Sequence, residues 1–129
     1  MRSPIRYPLL GAIFSQIPRH FDRDAGAGVD AIIRFVITGR ADGRADIWDV
    51  VIEDGACRVQ RPAQIEAFSP RVTITTGGAE FVRLATGTLD PMKAYFKGQI
   101  KLGGDIFFAA KMQSLFRTPQ GGAARRVEE

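Results

Sequence analysis

Cysteine and histidine are nearly missing from this chain: 129 residues carry one of each, Cys57 and His20. A single cysteine cannot close an internal disulfide, which suits a reducing compartment. A single histidine offers neither a metal-ligand cluster nor a base for a serine or cysteine triad. No apolar run approaches the roughly 20 residues needed to span a bilayer. The N-terminal MRSPIRYPLLGAIF has early arginines, but its apolar run is short, broken by Gly11, and followed by no small-residue cleavage site. It does not read as a secretory signal, and a cytoplasmic location is expected. Gly98, Gly103 and Gly104 are followed by no Lys-Ser/Thr step and lack dinucleotide spacing, so no phosphate loop is expected. Asp90 and Asp105 fit a turn former and a helix cap better than an acid/base pair. These absences predict no metal, no cofactor and no catalytic group.

What is present is ordinary for a globular domain: 45% hydrophobic and 25% charged residues. The net charge is +4, with a sequence pI near 9.7. The arginines are scattered, and no basic helix interleaved with aromatics stands out, so nucleic acid is not an expected partner. The main reading of the charge is a solvated surface. The minority reading is transient contact with phospholipid headgroups at a membrane surface.

The periodicity gives the elements. Leu10, Ile13, Phe14 and Ile17 recur at helical spacing after Pro8, and Pro18 ends that helix. Residues 31–38 alternate, with Ile33, Phe35 and Ile37 on one face. A second strand over 45–53 places Trp48, Val50 and Ile52 together, with Asp46, Asp49 and Glu53 at exposed edges. Asp54-Gly55 is a hairpin signal leading to a third strand, 56–60. A fourth follows at 71–76. Residues 79–85 and 92–96 read as helices, the first stopped at Thr86-Gly87. A fifth strand is expected at 99–102, then a tight turn at Gly103-Gly104, then a helix from Asp105 to Arg117. The expected architecture is α+β: a single five-stranded, mostly antiparallel sheet covered on one face by helices. The helical crossover between strands four and five permits a parallel relation between them or their neighbours. Residues 1–117 read as the domain and 118–129 (TPQGGAARRVEE) as a flexible tail.

The last helix carries more apolar surface than docking requires. Phe108, Ala109, Met112, Leu115 and Phe116 form one stripe, and Ile106, Phe107 and Ala110 widen it. Packing alone accounts for the stripe. Met and Phe together also make an adaptable lining, and Gln113 at the border could meet a polar headgroup.

On Leu84 to Phe116 (LATGTLDPMKAYFKGQIKLGGDIFFAAKMQSLF) and, more weakly, Ile17 to Gly39, the chain resembles the sterol carrier protein type two family in its stand-alone bacterial form. The family's glycine-aspartate helix start appears as Gly104-Asp105, and its lysine-apolar-glutamine step as Lys111, Met112, Gln113. The resemblance implies a hydrophobic tunnel between sheet and helices and no catalysis. It implies binding of a lipid: fatty acid, acyl-CoA, sterol or isoprenoid. Carried over, the lining is Phe81, Leu84, Phe96, Ile100, Leu102, Phe108, Met112, Gln113 and Phe116, with Phe35, Ile37 and Trp48 from the sheet. Where many relatives have a glycine and a medium aliphatic after Gly-Asp-Met, this chain has Phe107 and Phe108, and Ala110 replaces a frequent methionine. Two added rings are expected to narrow or re-route the tunnel. The leading expectation is a soluble lipid-binding carrier. The alternatives are a non-catalytic scaffold presenting isoprenoid quinone intermediates to biosynthetic enzymes, or an interaction module whose interior is filled by its own phenylalanines.

Overall fold

A computed structural model describes residues 7–62 and 69–116. Helix α1 (Tyr7–Gln16) runs into a 3-10 turn (Ile17–His20), because Pro18 lacks the N–H that would continue an α-helix. Strands β1 (Ala31–Thr38), β2 (Asp46–Glu53) and β3 (Ala56–Gln60) form an antiparallel meander. Asp54 (φ 55°) and Gly55 (φ 74°) both take positive φ at the second hairpin, the requirement of a two-residue primed turn. Strand β4 (Val72–Gly77) lies parallel to β1 on its other side. Helices α2 (Gly78–Ala85) and α3 (Pro91–Phe96) cross to β5 (Lys101–Gly104), which returns antiparallel to β4. Helix α4 (Ile106–Leu115) closes the order. The sheet reads β3-β2-β1-β4-β5. The parallel pair is therefore β1–β4, and β4–β5 is antiparallel.

The register decides which residues meet the helices. Phe35 sits opposite Trp48 and Ile74, and Ile33 opposite Val50 and Val72, so these share one face. Leu10 and Phe14 of α1, Phe81 of α2, and Phe108, Ala109 and Leu115 of α4 join that face in one buried cluster. The other face holds a cross-strand ion pair. Arg34 Nε and Nη2 donate to the Asp49 carboxylate at 2.8 and 2.9 Å, with the two residues only 5% and 1% exposed.

Three expectations need correction. Asp46 and Asp49 are buried, not edge residues: Asp49 is neutralised by Arg34, and Asp46 accepts from Trp48 Nε1 and from Arg61. The fifth strand is shifted toward the C-terminus. Gly103 and Gly104 pair with Thr73 and Val72 rather than forming a turn. Gly104 sits at φ 90°, and a Cβ there would stand 2.5 Å from the Arg71 carbonyl oxygen, so only glycine lets the two strands approach. The last helix is shorter than expected, ending at Leu115. The expected tail, 118–129, lies outside the described residues.

Candidate ligand cavity

Two aspartates fix where the covering helices begin. The Asp90 carboxylate accepts from the backbone N–H of Met92 and Lys93 and starts α3 behind Pro91. Asp105 accepts from the N–H of Phe108 at 2.9 Å and starts α4. That bond, with the Arg71 guanidinium beside it, holds the Asp105 carboxyl below its ordinary pKa. The far end of α4 is tied to the segment after the 3-10 turn. Asp22 N–H donates to Leu115 O at 2.7 Å, and the rings of Phe21 and Phe116 stand 5.7 Å apart. Phe21 can reach this position because Gly26 leaves room; a Cβ there would be 2.2 Å from the ring.

Held at both ends, the helices do not close on the sheet everywhere. A cavity of about 1090 Å³ lies between them and opens to solvent. Drug-sized ligands occupy pockets of roughly 300–1,000 Å³, and an engineered cavity of about 150 Å³ already admits benzene. Behind it stand Ile33 and Phe35 of β1, Val50 of β2 and Ile74 of β4; Ile33, Val50 and Ile74 are each only 1% exposed and belong to the core as well, so the cavity meets them at its deepest point. Ile13 and Ile17 line one side, Phe81 and Leu84 of α2 another, and Met112 and Phe116 a third. One end is closed by stacked rings. Phe14 lies flat on Phe81 and on Trp48, each at 4.6 Å between centroids, and Phe35 meets Phe14 and Phe81 edge-on at 5.5 Å.

The rim is polar and carries positive charge. Arg83, Lys93, Lys97, Gln99 and His20 border it, with Asp22 and Asp90. Both aspartates accept from backbone amides: Asp22 from Asp24 and Ala25, Asp90 from Met92 and Lys93. Arg83, Lys93 and Lys97 make no ion pair among the described residues.

Of the residues singled out from sequence, the structure brings Phe35, Phe81, Leu84, Met112 and Phe116 to the cavity. Ile37, Ile100 and Phe108 are core, packed away from the opening. Trp48 is held between Phe14 and the Arg61 guanidinium, which sits 4.3 Å above its ring. Leu102 is half-buried on β5, opposite Ile74. Phe96 is 78% exposed and turned to solvent, because it falls at the last position of a helix only six residues long. Gln113 stands in α4, and its side chain is outside the described set. Neither added phenylalanine narrows the cavity. Phe108 packs beneath Arg71, whose guanidinium is 4.3 Å from the ring centroid, and Phe107 is 87% exposed. Ile13, Ile17, Ile33, Val50 and Ile74 were missed. Their signal was only apolarity at helical or alternating spacing, which core residues share.

The chemistry available is apolar. Among the described residues no group of three or more His, Cys, Asp or Glu could hold a metal. Burial pushes the Cys57 thiol up to about 11, away from nucleophilic use at neutral pH. No helix among the described residues is long and apolar enough to cross a membrane.

Residues 14–117 match the model of the SCP-2 sterol transfer family. The chain belongs to that family. Rat sterol carrier protein 2 is 27% identical over 110 residues, covering 83% of this chain. The chain spans only about a fifth of that relative's length, the match being 20% of it. Among solved structures, the sterol carrier protein domain 2 of Helicoverpa armigera aligns with a TM-score of 0.66 at 25% identity, covering 88% of this chain and 87% of that one. A ubiquinone synthesis protein, UbiJ-SCP2, shares the fold with a TM-score of 0.59 at 14% identity, covering 88% of this chain and 93% of that one. Membership makes this a protein of a lipid-transfer fold, and its α+β sheet-and-helix architecture is the one these structures share.

Proposed function

We propose that this protein is a non-catalytic lipid carrier of the cytoplasm, holding a fatty acyl, sterol-like or isoprenoid ligand in the cavity over Ile33, Phe35, Val50 and Ile74. The observation that carries this is the volume of about 1090 Å³ with an apolar floor and a polar rim. Burying an alkyl chain stabilises the complex by about 0.8 kcal/mol per CH₂, so ten methylenes contribute about 8 kcal/mol before the entropic cost of association. No strong polar contact is then required. Family membership supports the reading.

The test is native mass spectrometry of the purified protein, together with binding of a fluorescent fatty acid and its displacement by unlabelled lipid. We expect co-purified lipid and probe entry. Leu84→Trp, which puts an indole into the cavity from α2, should weaken probe binding at least tenfold while the far-UV spectrum is kept. Absence of both lipid and probe binding in the wild type would refute the carrier.

A second reading is a scaffold that presents isoprenoid quinone intermediates to biosynthetic enzymes. It is favoured by the fold shared with the ubiquinone synthesis protein. Affinity capture with identification of bound enzymes and of retained quinone intermediates separates the two readings: a free carrier brings down lipid without an enzyme set.

A further inference from the structure

The surplus apolar surface of α4 is used neither by the core nor by the cavity. Phe108, Ala109 and Leu115 enter the core, and Met112 and Phe116 line the cavity. Phe107 and Ala110 face solvent, with Lys111 one turn from Phe107 on the same exposed stripe. Helix α3, which packs on α4, repeats the pattern. Phe96 stands one turn from Lys93 and beside Lys97, and both lysines border the cavity's mouth. Among the described residues, Phe96 and Phe107 are the two large hydrophobic side chains left exposed. Each is flanked by lysine, and Lys93, Lys97 and Lys111 make no ion pair among the described residues. The neighbouring acids are otherwise engaged: Asp90 caps α3, and Asp105 caps α4 and pairs with Arg71.

A phenyl ring beside a free ammonium group suits the boundary between headgroups and acyl chains. There the ring is buried, while the lysine stem snorkels its charge back to anionic headgroups. A second copy of this chain fits the patch poorly, because it would set like charges against each other. We infer that the outer face of α3 and the first turns of α4 docks on an anionic bilayer, so that the mouth bordered by Lys93 and Lys97 opens against the lipid. The carrier reading supplies the purpose of this contact, whereas its geometry stands independently.

Vesicle flotation tests it, using phosphatidylcholine alone and phosphatidylcholine mixed with phosphatidylglycerol. The wild type should float with the mixed vesicles, hardly with the neutral ones, and less as salt rises. Each basic residue near an anionic surface raises partitioning about fivefold, so Lys93→Glu with Lys97→Glu should lower it by roughly 25-fold or more. Phe96→Ser with Phe107→Ser should lower it at least tenfold. Wild-type protein that ignores mixed vesicles, or a double phenylalanine variant that floats like wild type, overturns the proposal. So does light scattering that shows a wild-type dimer which the same variant breaks. Fluorescent fatty-acid binding without vesicles keeps the two readings apart. Phe107→Ser, whose ring is outside the cavity, should retain it. Probe entry without vesicle binding sinks only the docking face, and vesicle binding without probe entry sinks only the carrier.

Discussion

Arg34 and Asp49 meet across β1 and β2 with almost no access to water. Removing the guanidinium leaves the Asp49 carboxylate in a poor dielectric without its counter-charge. Arg34→Met should therefore cost about 3–5 kcal/mol, read as a lower urea midpoint, and Arg34→Met with Asp49→Leu should recover part of the loss. The two glycines of β5 make a sharper pair. Gly104→Ala forces a Cβ to within 2.5 Å of the Arg71 carbonyl at φ 90° and should cost about 1–3 kcal/mol. Gly103→Ala meets nothing within 4 Å, and its thermal midpoint should stay near wild type. The sequence marks both glycines identically; the positive φ of Gly104 and the approach of Arg71 separate them.

At the scale of an element, α4 depends on its cap. The Asp105 carboxyl is held below its ordinary pKa by the Phe108 N–H and by Arg71. A lowered folded pKa means the charged form stabilises the fold. That contribution is complete above the unfolded value of about 3.9 and is lost as pH falls through the lowered folded value. The stability difference between wild type and Asp105→Ala should accordingly be full at neutral pH and shrink below about pH 4, followed by urea unfolding across that range. The same helix forms one wall of the cavity and is tied at its end by Asp22 and Phe21. Ligand held against this wall predicts slower amide exchange across 105–116 when fatty acid is added. Unchanged exchange would mean that α4 does not close on the ligand. Both cap positions were legible in the sequence, because aspartate before a helical stripe has a local reason to be there. Phe96 was misplaced for the converse reason: in so short a helix the spacing rule leaves the facing of the last residue open.

For the molecule as a whole, alternation fixed the strands and their inward faces: Ile33, Phe35 and Ile37 share one side in the structure as the period of two requires. Five strands, the helical crossover and the α+β class follow from that local chemistry, since each segment reveals its own periodicity. Two expectations about the lining of the cavity failed in opposite directions. Ile13, Ile17 and Ile74 line it although nothing in their spacing differs from that of core residues. Phe107 and Phe108, expected to obstruct it, face solvent and the Arg71 guanidinium instead.

Sequence alone determined the number and order of the elements, the caps at Asp90 and Asp105 and the hairpin at Asp54-Gly55. Tertiary structure alone decided that an opening remains beside Phe81 and Met112, that Arg34 and Asp49 bury each other, and that two lysines border the mouth. The division has one physical cause. Helix, strand and cap are set by neighbours a few residues away, whereas a void is space left over when distant side chains have packed.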